Sequence, residues 1–418
     1  MLAHARSRSA VLVLAALLAS ALVLVAPARV GAAPADTRPV AGFINFPGLG
    51  KHKAPNVRVL WFTKDWQYLG QKNANGGSYA LNLAPGTYWL QFVDQRPSWR
   101  TDKYAPTDVK VTVSARKPTV KDVTMKHGAF VTGRVTTGSG PGGKARVAVA
   151  RTLPDGRDQS FDTTANGRGQ FAIGGLPEGT WSVFAWDKKK NWVGKSTWVG
   201  KVRTGRGKDV RIRLRQRSGS LRVLLYTPDG SALGGRTTVT VTSAKTGQWW
   251  TATARGGTAV FKGVYPGRYR LKFDGAGNWL ASQGRIQKAN VRSHRASIGT
   301  YKVTRRGGWI TGRAVDAGAP AYPLPGAQVQ LYDAYGTKLD ETKASDAGAF
   351  TLDGQLATQR NLTVVINPDP LTGGWAQTVS YCRFDPTSLP GVSVTQGKET
   401  SLGAIGVGRT PGQAGPCA

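Results

Sequence analysis

Few side chains in this sequence are of a type and spacing that could turn over a substrate. Past the first 35 residues there are three histidines, His52, His127 and His294, at unrelated positions. No H-E-x-x-H, no G-x-S-x-G and no paired-cysteine zinc spacing occurs. Gly194-Lys195-Ser196 has the ending of a phosphate-binding loop, but Lys189 stands where that loop needs its first glycine. Acids are sparse, 23 against 57 lysines and arginines. Neither an Asp-rich calcium loop nor two carboxylates framing a glycosidic bond can be picked out. The expectation is a non-enzyme with no catalytic residue, metal or cofactor, and glycoside hydrolysis is the first activity to test against it.

Binding chemistry is better represented. Three related stretches, Leu83–Phe92, Gly174–Trp186 and Val264–Phe273, each place a P-x-G turn before an aromatic strand. Proline presets φ and glycine takes the unusual backbone angle, after which side chains alternate between two faces. Tyr88, Trp181 and Tyr269 then point inward. Trp89, Phe184, Trp186, Arg270 and Lys272 point outward, where aromatics suit either sugar stacking or packing on a neighbouring domain. Trp249 and Trp250 are adjacent and must split faces; Trp250 is taken as the exposed member. Arg211, Arg213 and Arg215 interleave with Ile212 and Leu214, giving cations every ~6.8 Å along a strand. Such a ladder fits a polyanion or guards a sheet edge; a second ladder at Arg268, Arg270 and Lys272 tilts the balance to the polyanion. Trp99, Trp192, Trp279 and Trp375 recur 12–14 residues past the turn or its counterpart, and capping of their own domains is favoured over a stacking row.

These side chains need strands to hold them. The turn glycines Gly86, Gly179 and Gly267 are 93 and 88 residues apart, the size of a small β domain. Each repeat opens with a short alternating strand, from Val40, Phe130, Leu221 and Trp309, and the second and fourth share [VI]-T-G-R. With 54 glycines, 23 prolines and no helical period beyond the leader, the fold class is all-β: four tandem immunoglobulin-like sandwiches. The boundaries fall at 36–126, 127–216, 217–305 and 306–410, with a tail at 411–418. Linkers are nearly absent, which predicts a semi-rigid rod.

Residues 1–35 read as a signal peptide: a basic start, an apolar core from Val11 to Val25 and the small-residue step Ala33-Pro34-Ala35. The alternative is an uncleaved N-terminal anchor, for which the apolar core is short. The segment holds Arg6, Arg8 and Arg29 and no acid, so cleavage takes the formal charge from +34 to +31. No second apolar run follows, so no membrane span is expected afterwards. In an exported chain, Cys382 and Cys417 are expected to form a disulfide. Its 35-residue loop would stabilise the fold by roughly 3–4 kcal/mol in the chain-entropy account.

The stretch Leu324–Leu352, with L-P-G-A-x-V-x-L and D-x-x-G-x-F, resembles the carboxypeptidase regulatory-like domains, which belong with the prealbumin-like and Cna-B-like sandwiches. "TGRVTTGSGPGGKARVAVA" and "NGRGQFAIGGLPEGTWSVFA" carry the same pattern in the second repeat. The resemblance implies seven-stranded sandwiches that present ligands, extend a stalk or recognise carbohydrate. One departure matters: where pilin domains of this kind carry an isopeptide-forming lysine, this chain has Arg134, Arg222 and Arg313, so no such bond is expected. Charge and resemblance together predict a secreted monomer, retained at the cell surface by charge, that binds extracellular or envelope polysaccharide of anionic character rather than a specific nucleic acid. A carbohydrate-binding accessory of a starch-degrading system and a ligand-free spacer are the rival expectations.

Overall fold

The computed structural model describes residues 37–49, 54–74, 76–368 and 384–411. The leader, Trp375, Cys382 and Cys417 lie outside them. The regular elements of the described residues are all strands, and among those residues no helix is long and apolar enough to cross a membrane. Four hydrophobic cores form in chain order, each centred on one repeat.

The second unit shows the common plan. Its opening strand Ala129–Thr137 lies between Gln170–Leu176, antiparallel, and Gly207–Leu214, parallel. The opposing layer runs Asp158–Thr164, Arg146–Thr152, Gly179–Trp186, Thr197–Val202. The first and fourth units repeat this arrangement. In the first, the closing stretch divides. Thr107–Val113 joins the four-stranded layer, and two short strands, Thr119–Val120 and Val123–Thr124, pair parallel with the opening strand Arg38–Asn45. In the third unit a hairpin from Trp249–Arg255 to Thr258–Val264 joins the layers into one seven-stranded sheet.

Alternation decides which residues fill the cores. Along Gly86–Asp94, Tyr88, Leu90 and Phe92 are buried while Trp89, Gln91 and Val93 are half-buried. Trp181 and Tyr269 are likewise interior. Burying each such side chain stabilises the fold by roughly 1.5–3 kcal/mol. The T-G-R glycine has a specific role here. A Cβ on Gly133 would sit 2.1 Å from the Val210 carbonyl oxygen and 3.0 Å from the Phe171 ring, and Gly312 meets Phe350 at 2.6 Å. Only glycine lets that aromatic lie across the opening strand.

The expected semi-rigid rod is not what forms. The turn at Asp333–Gly336 of the fourth unit reaches the first, where Tyr335 packs against the core and meets Tyr88 edge-on at 6.3 Å. Short linkers hold neighbours in contact but do not make them collinear.

An ion pair anchors the end of the fourth unit. Asp316, 2% exposed, accepts from Arg409 at 2.7 Å and from the Gly318 amide at 2.8 Å. Burial alone would raise the Asp316 carboxyl, but the Arg409 bond and backbone donors outweigh it and hold the group below the usual aspartate range. A depressed folded value means the contribution is complete at neutral pH, begins to fall as pH drops through about 4 and is lost once the folded carboxyl protonates. Asp316→Asn is therefore expected to lower the denaturation midpoint at pH 7, with the gap from the parent narrowing at pH 3. An equal gap at both pH values would show that the charge is not responsible.

Candidate functional site

The outer face of the second unit's layer around Ala129–Thr137 carries a groove of about 650 Å³. The parallel register sets Arg134 opposite Arg211 and Thr136 opposite Arg213. Period-two geometry turns these side chains away from the buried Val135, Ile212 and Leu214. Gln170 and Asp209 complete the rim. Asp209 accepts from the Thr132 hydroxyl at 3.0 Å. Among the described residues no carboxylate lies within 4 Å of Arg134, Arg211 or Arg213. Three guanidiniums thus share one groove with hydroxyl and amide donors and no ion-pair partner.

The strand Gly207–Leu214 pairs on one side only, so it is also an edge. Arg215 is exposed past its end and does not line the groove. The second ladder sits differently. Tyr269–Phe273 is an interior strand of the seven-stranded sheet, so edge protection does not apply there. Arg270 is exposed opposite Arg285, whereas Lys272 is half-buried and paired with Asp274 at 3.3 Å. The two ladders belong to different sheets and do not form one site through a shared strand. Arg134, which completes the groove, is expected from the sequence only as part of the T-G-R repeat and in place of an isopeptide lysine, not as a binding residue; its signal is the strand periodicity that places it on the same face as Thr132.

The aromatic expectations change more. Phe184 is buried, 6% exposed, and Trp186 half-buried, both packed edge-on against Trp249 of the third unit at 4.9 and 5.3 Å. The Trp186 indole donates to the Trp249 carbonyl at 3.0 Å, and the Gln248 amide to the Ala185 carbonyl at 3.0 Å. Trp250, expected in solvent, is 7% exposed; it fills the third core and donates to the Gly263 carbonyl at 3.0 Å. Adjacent tryptophans do split faces, but both faces are covered, one by the unit's own core and one by its neighbour. Trp89 stacks on Trp66 at 4.9 Å and 14°, and Arg157 of the second unit sits 3.6 Å from the Trp66 ring centre. The outward aromatics therefore serve contacts within and between units. Of the loop tryptophans, Trp192 and Trp279 pack on their own cores, while Trp99 is 59% exposed. Trp198, at 71%, is a solvent-facing aromatic that the turn pattern did not mark.

Among the described residues no group of three or more histidine, cysteine or acidic side chains is placed to hold a metal ion.

No protein-family model and no curated protein matches this sequence. Similar solved structures include the Bacillus anthracis TIE protein, at 11% identity over 85% of this chain and 69% of that one, with a TM-score of 0.23. The minor pilin GBS52 of Streptococcus agalactiae is 14% identical over 48% and 100%, with a TM-score of 0.24. The shaft pilin spaA of Lactobacillus rhamnosus GG is 11% identical over 46% and 98%, with a TM-score of 0.30. At these TM-scores the likeness fixes neither the arrangement of the units nor their role.

Proposed function

We propose that this chain is an exported, non-catalytic, monomeric array of four β-sandwiches, divided near residues 126, 216 and 305, that binds anionic extracellular or envelope polysaccharide. The observation that carries this is the groove in which Arg134, Arg211 and Arg213 face solvent together without a carboxylate within 4 Å among the described residues. Unpaired guanidiniums two residues apart along one strand, and side by side across two, match a polymer with repeated negative groups. The formal charge of +34 over the whole chain adds a long-range attraction to such a surface and a means of retention there. A neutral-glucan accessory needs a row of free aromatic platforms, and of the expected ones Phe184, Trp186 and Trp250 are covered, leaving the exposed Trp99 and Trp198 on separate units.

The test is the triple change Arg134→Ser, Arg211→Ser, Arg213→Ser. The inward residues of both strands are untouched, so folding should survive. Affinity for polygalacturonate should fall by at least tenfold at low salt. The slope of log affinity against log salt should also flatten, by analogy with about one unit per phosphate contact on duplex DNA. A folded triple variant with unchanged affinity and slope would overturn the assignment. Aggregation with unchanged binding would mark these arginines as edge guards instead.

A further inference from the structure

A second cleft, of about 430 Å³, opens where the first and second units meet. Pro106 and Asp108 form one wall; Arg151, Pro154, Gln159 and Pro177 form the other. Its central feature is the Arg151 guanidinium, held in place from several directions. It lies 4.4 Å from the ring centre of Trp181, donates Nε to Gln159 at 2.9 Å and Nη1 to the Glu178 carbonyl at 2.7 Å. The P-E-G turn is shaped around it: a Cβ on Gly179 would sit 1.9 Å from Arg151 Nη1. Neither Gly86 nor Gly267, the matching glycines, faces a guanidinium in this way.

The charge of Arg151 is left open. Among the described residues no carboxylate lies within 4 Å of it, and Nη2 has no acceptor. Its neighbour Arg157 is neutralised by Asp155 at 2.7 Å, and Asp108 accepts from Gln91 at 2.8 Å. Burial pushes the Arg151 guanidinium below the usual arginine range, which still leaves it charged near neutrality. A half-buried, pre-oriented and unpaired guanidinium in a cleft is a site for a planar anion.

We propose that this cleft is a subsite for one acidic sugar residue, with Arg151 holding its carboxylate. Three proline rings supply apolar walls for a pyranose face, and Asp108 and Gln159, which also line the cleft, offer an acceptor and a donor for ring hydroxyls. One guanidinium in the smaller cleft suits a single carboxylate, whereas the three-arginine groove suits a run of charges. The inference rests on the acidic-polysaccharide reading and narrows it to uronate-bearing chains.

Calorimetry of the purified chain with tetragalacturonate, and with a neutral glucan tetramer as control, tests it. Saturable binding of the acidic tetramer alone is expected. Arg151→Gln should weaken it at least tenfold, and Arg151→Lys, which keeps the charge and the stem over Trp181 but loses the fork, at least threefold. The Arg134→Ser, Arg211→Ser, Arg213→Ser variant should lose any contribution of the groove to tetramer binding but keep the Arg151-dependent part. A folded Arg151→Lys or Arg151→Gln protein with parental affinity would reduce Arg151 to a cap on Trp181 and overturn the subsite. So would loss of tetramer binding in the triple variant, which would place the sugar in the groove. Binding of polygalacturonate without the tetramer would sink the subsite and leave the wider function standing; binding of neither would end both.

Discussion

Trp181→Ala should destabilise the second unit by about 3–5 kcal/mol, the range for removing a fully buried large aromatic. Trp181 has no exposed surface, meets Phe161 edge-on at 5.7 Å and donates its indole N–H to the Pro177 carbonyl at 3.2 Å. Alanine would leave a cavity between the two layers and a carbonyl without its donor. For a slope of about 2 kcal/mol/M in urea, the midpoint of the transition should move by about 2 M. Intrinsic fluorescence and near-ultraviolet circular dichroism should both follow that transition. A shift below about 0.5 M would mean that the layers close over the gap. The substitution also removes the platform beneath Arg151, so any fraction that folds should bind tetragalacturonate more weakly than the parent.

Trp181 also marks how far the sequence could be read. Its inward position follows from the P-x-G turn and strict alternation, as do those of Tyr88 and Tyr269, because a period of two leaves no freedom once one residue is placed. The inward positions of the cores and the exposure of Arg211 and Arg213 depend on the same local rule; the parallel pairing of the closing strand does not. The second face of the same strands is a different matter. Whether Phe184 meets sugar, solvent or Trp249 is decided by a residue 65 positions away, and alternation says nothing about that. Trp250 turns inward for a related reason: Trp249 takes the outward face, where Thr251, Thr253 and Arg255 are exposed, and the second unit covers that face only at Trp249. Arg134 and Arg151 carry the two candidate sites, yet one belongs to a repeated motif and the other to an unmarked strand. Their importance appears only when cross-strand register puts Arg134 beside Arg211 and the turn at Gly179 closes over Arg151.

The junction that forms the Arg151 cleft should depend on a single buried carboxylate. Asp94 is fully buried and accepts from the Arg96 amide at 2.9 Å, the Arg96 guanidinium at 2.7 Å and the Tyr104 amide at 2.9 Å. These bonds shape residues 95–105, the loop that the second unit packs against. From that unit, the Gly174 amide donates to the Ser98 carbonyl at 2.8 Å, and at the boundary the Gly128 amide donates to the Lys103 carbonyl at 3.1 Å. The approach is close enough that a Cβ on Gly174 would lie 1.9 Å from the Arg100 carbonyl oxygen, which explains why two glycines precede the P-E-G turn. Asp94→Ala leaves the Tyr104 amide buried without its acceptor and strips Arg96 of its nearer partner, though Asp102 still holds it at 2.9 Å. Removing one side of a buried ion pair costs about 3–5 kcal/mol, and the partial exposure of Arg96 and its second partner place this case near 3. Its signature should be local. Hydrogen exchange at the Gly128 and Gly174 amides should accelerate by more than tenfold, while the opening-strand amides of the third and fourth units keep their protection. Full protection at Gly128 and Gly174 in the alanine variant would show that the loop holds the junction without Asp94, through its backbone bonds to those glycines and the Arg157–Trp66 contact.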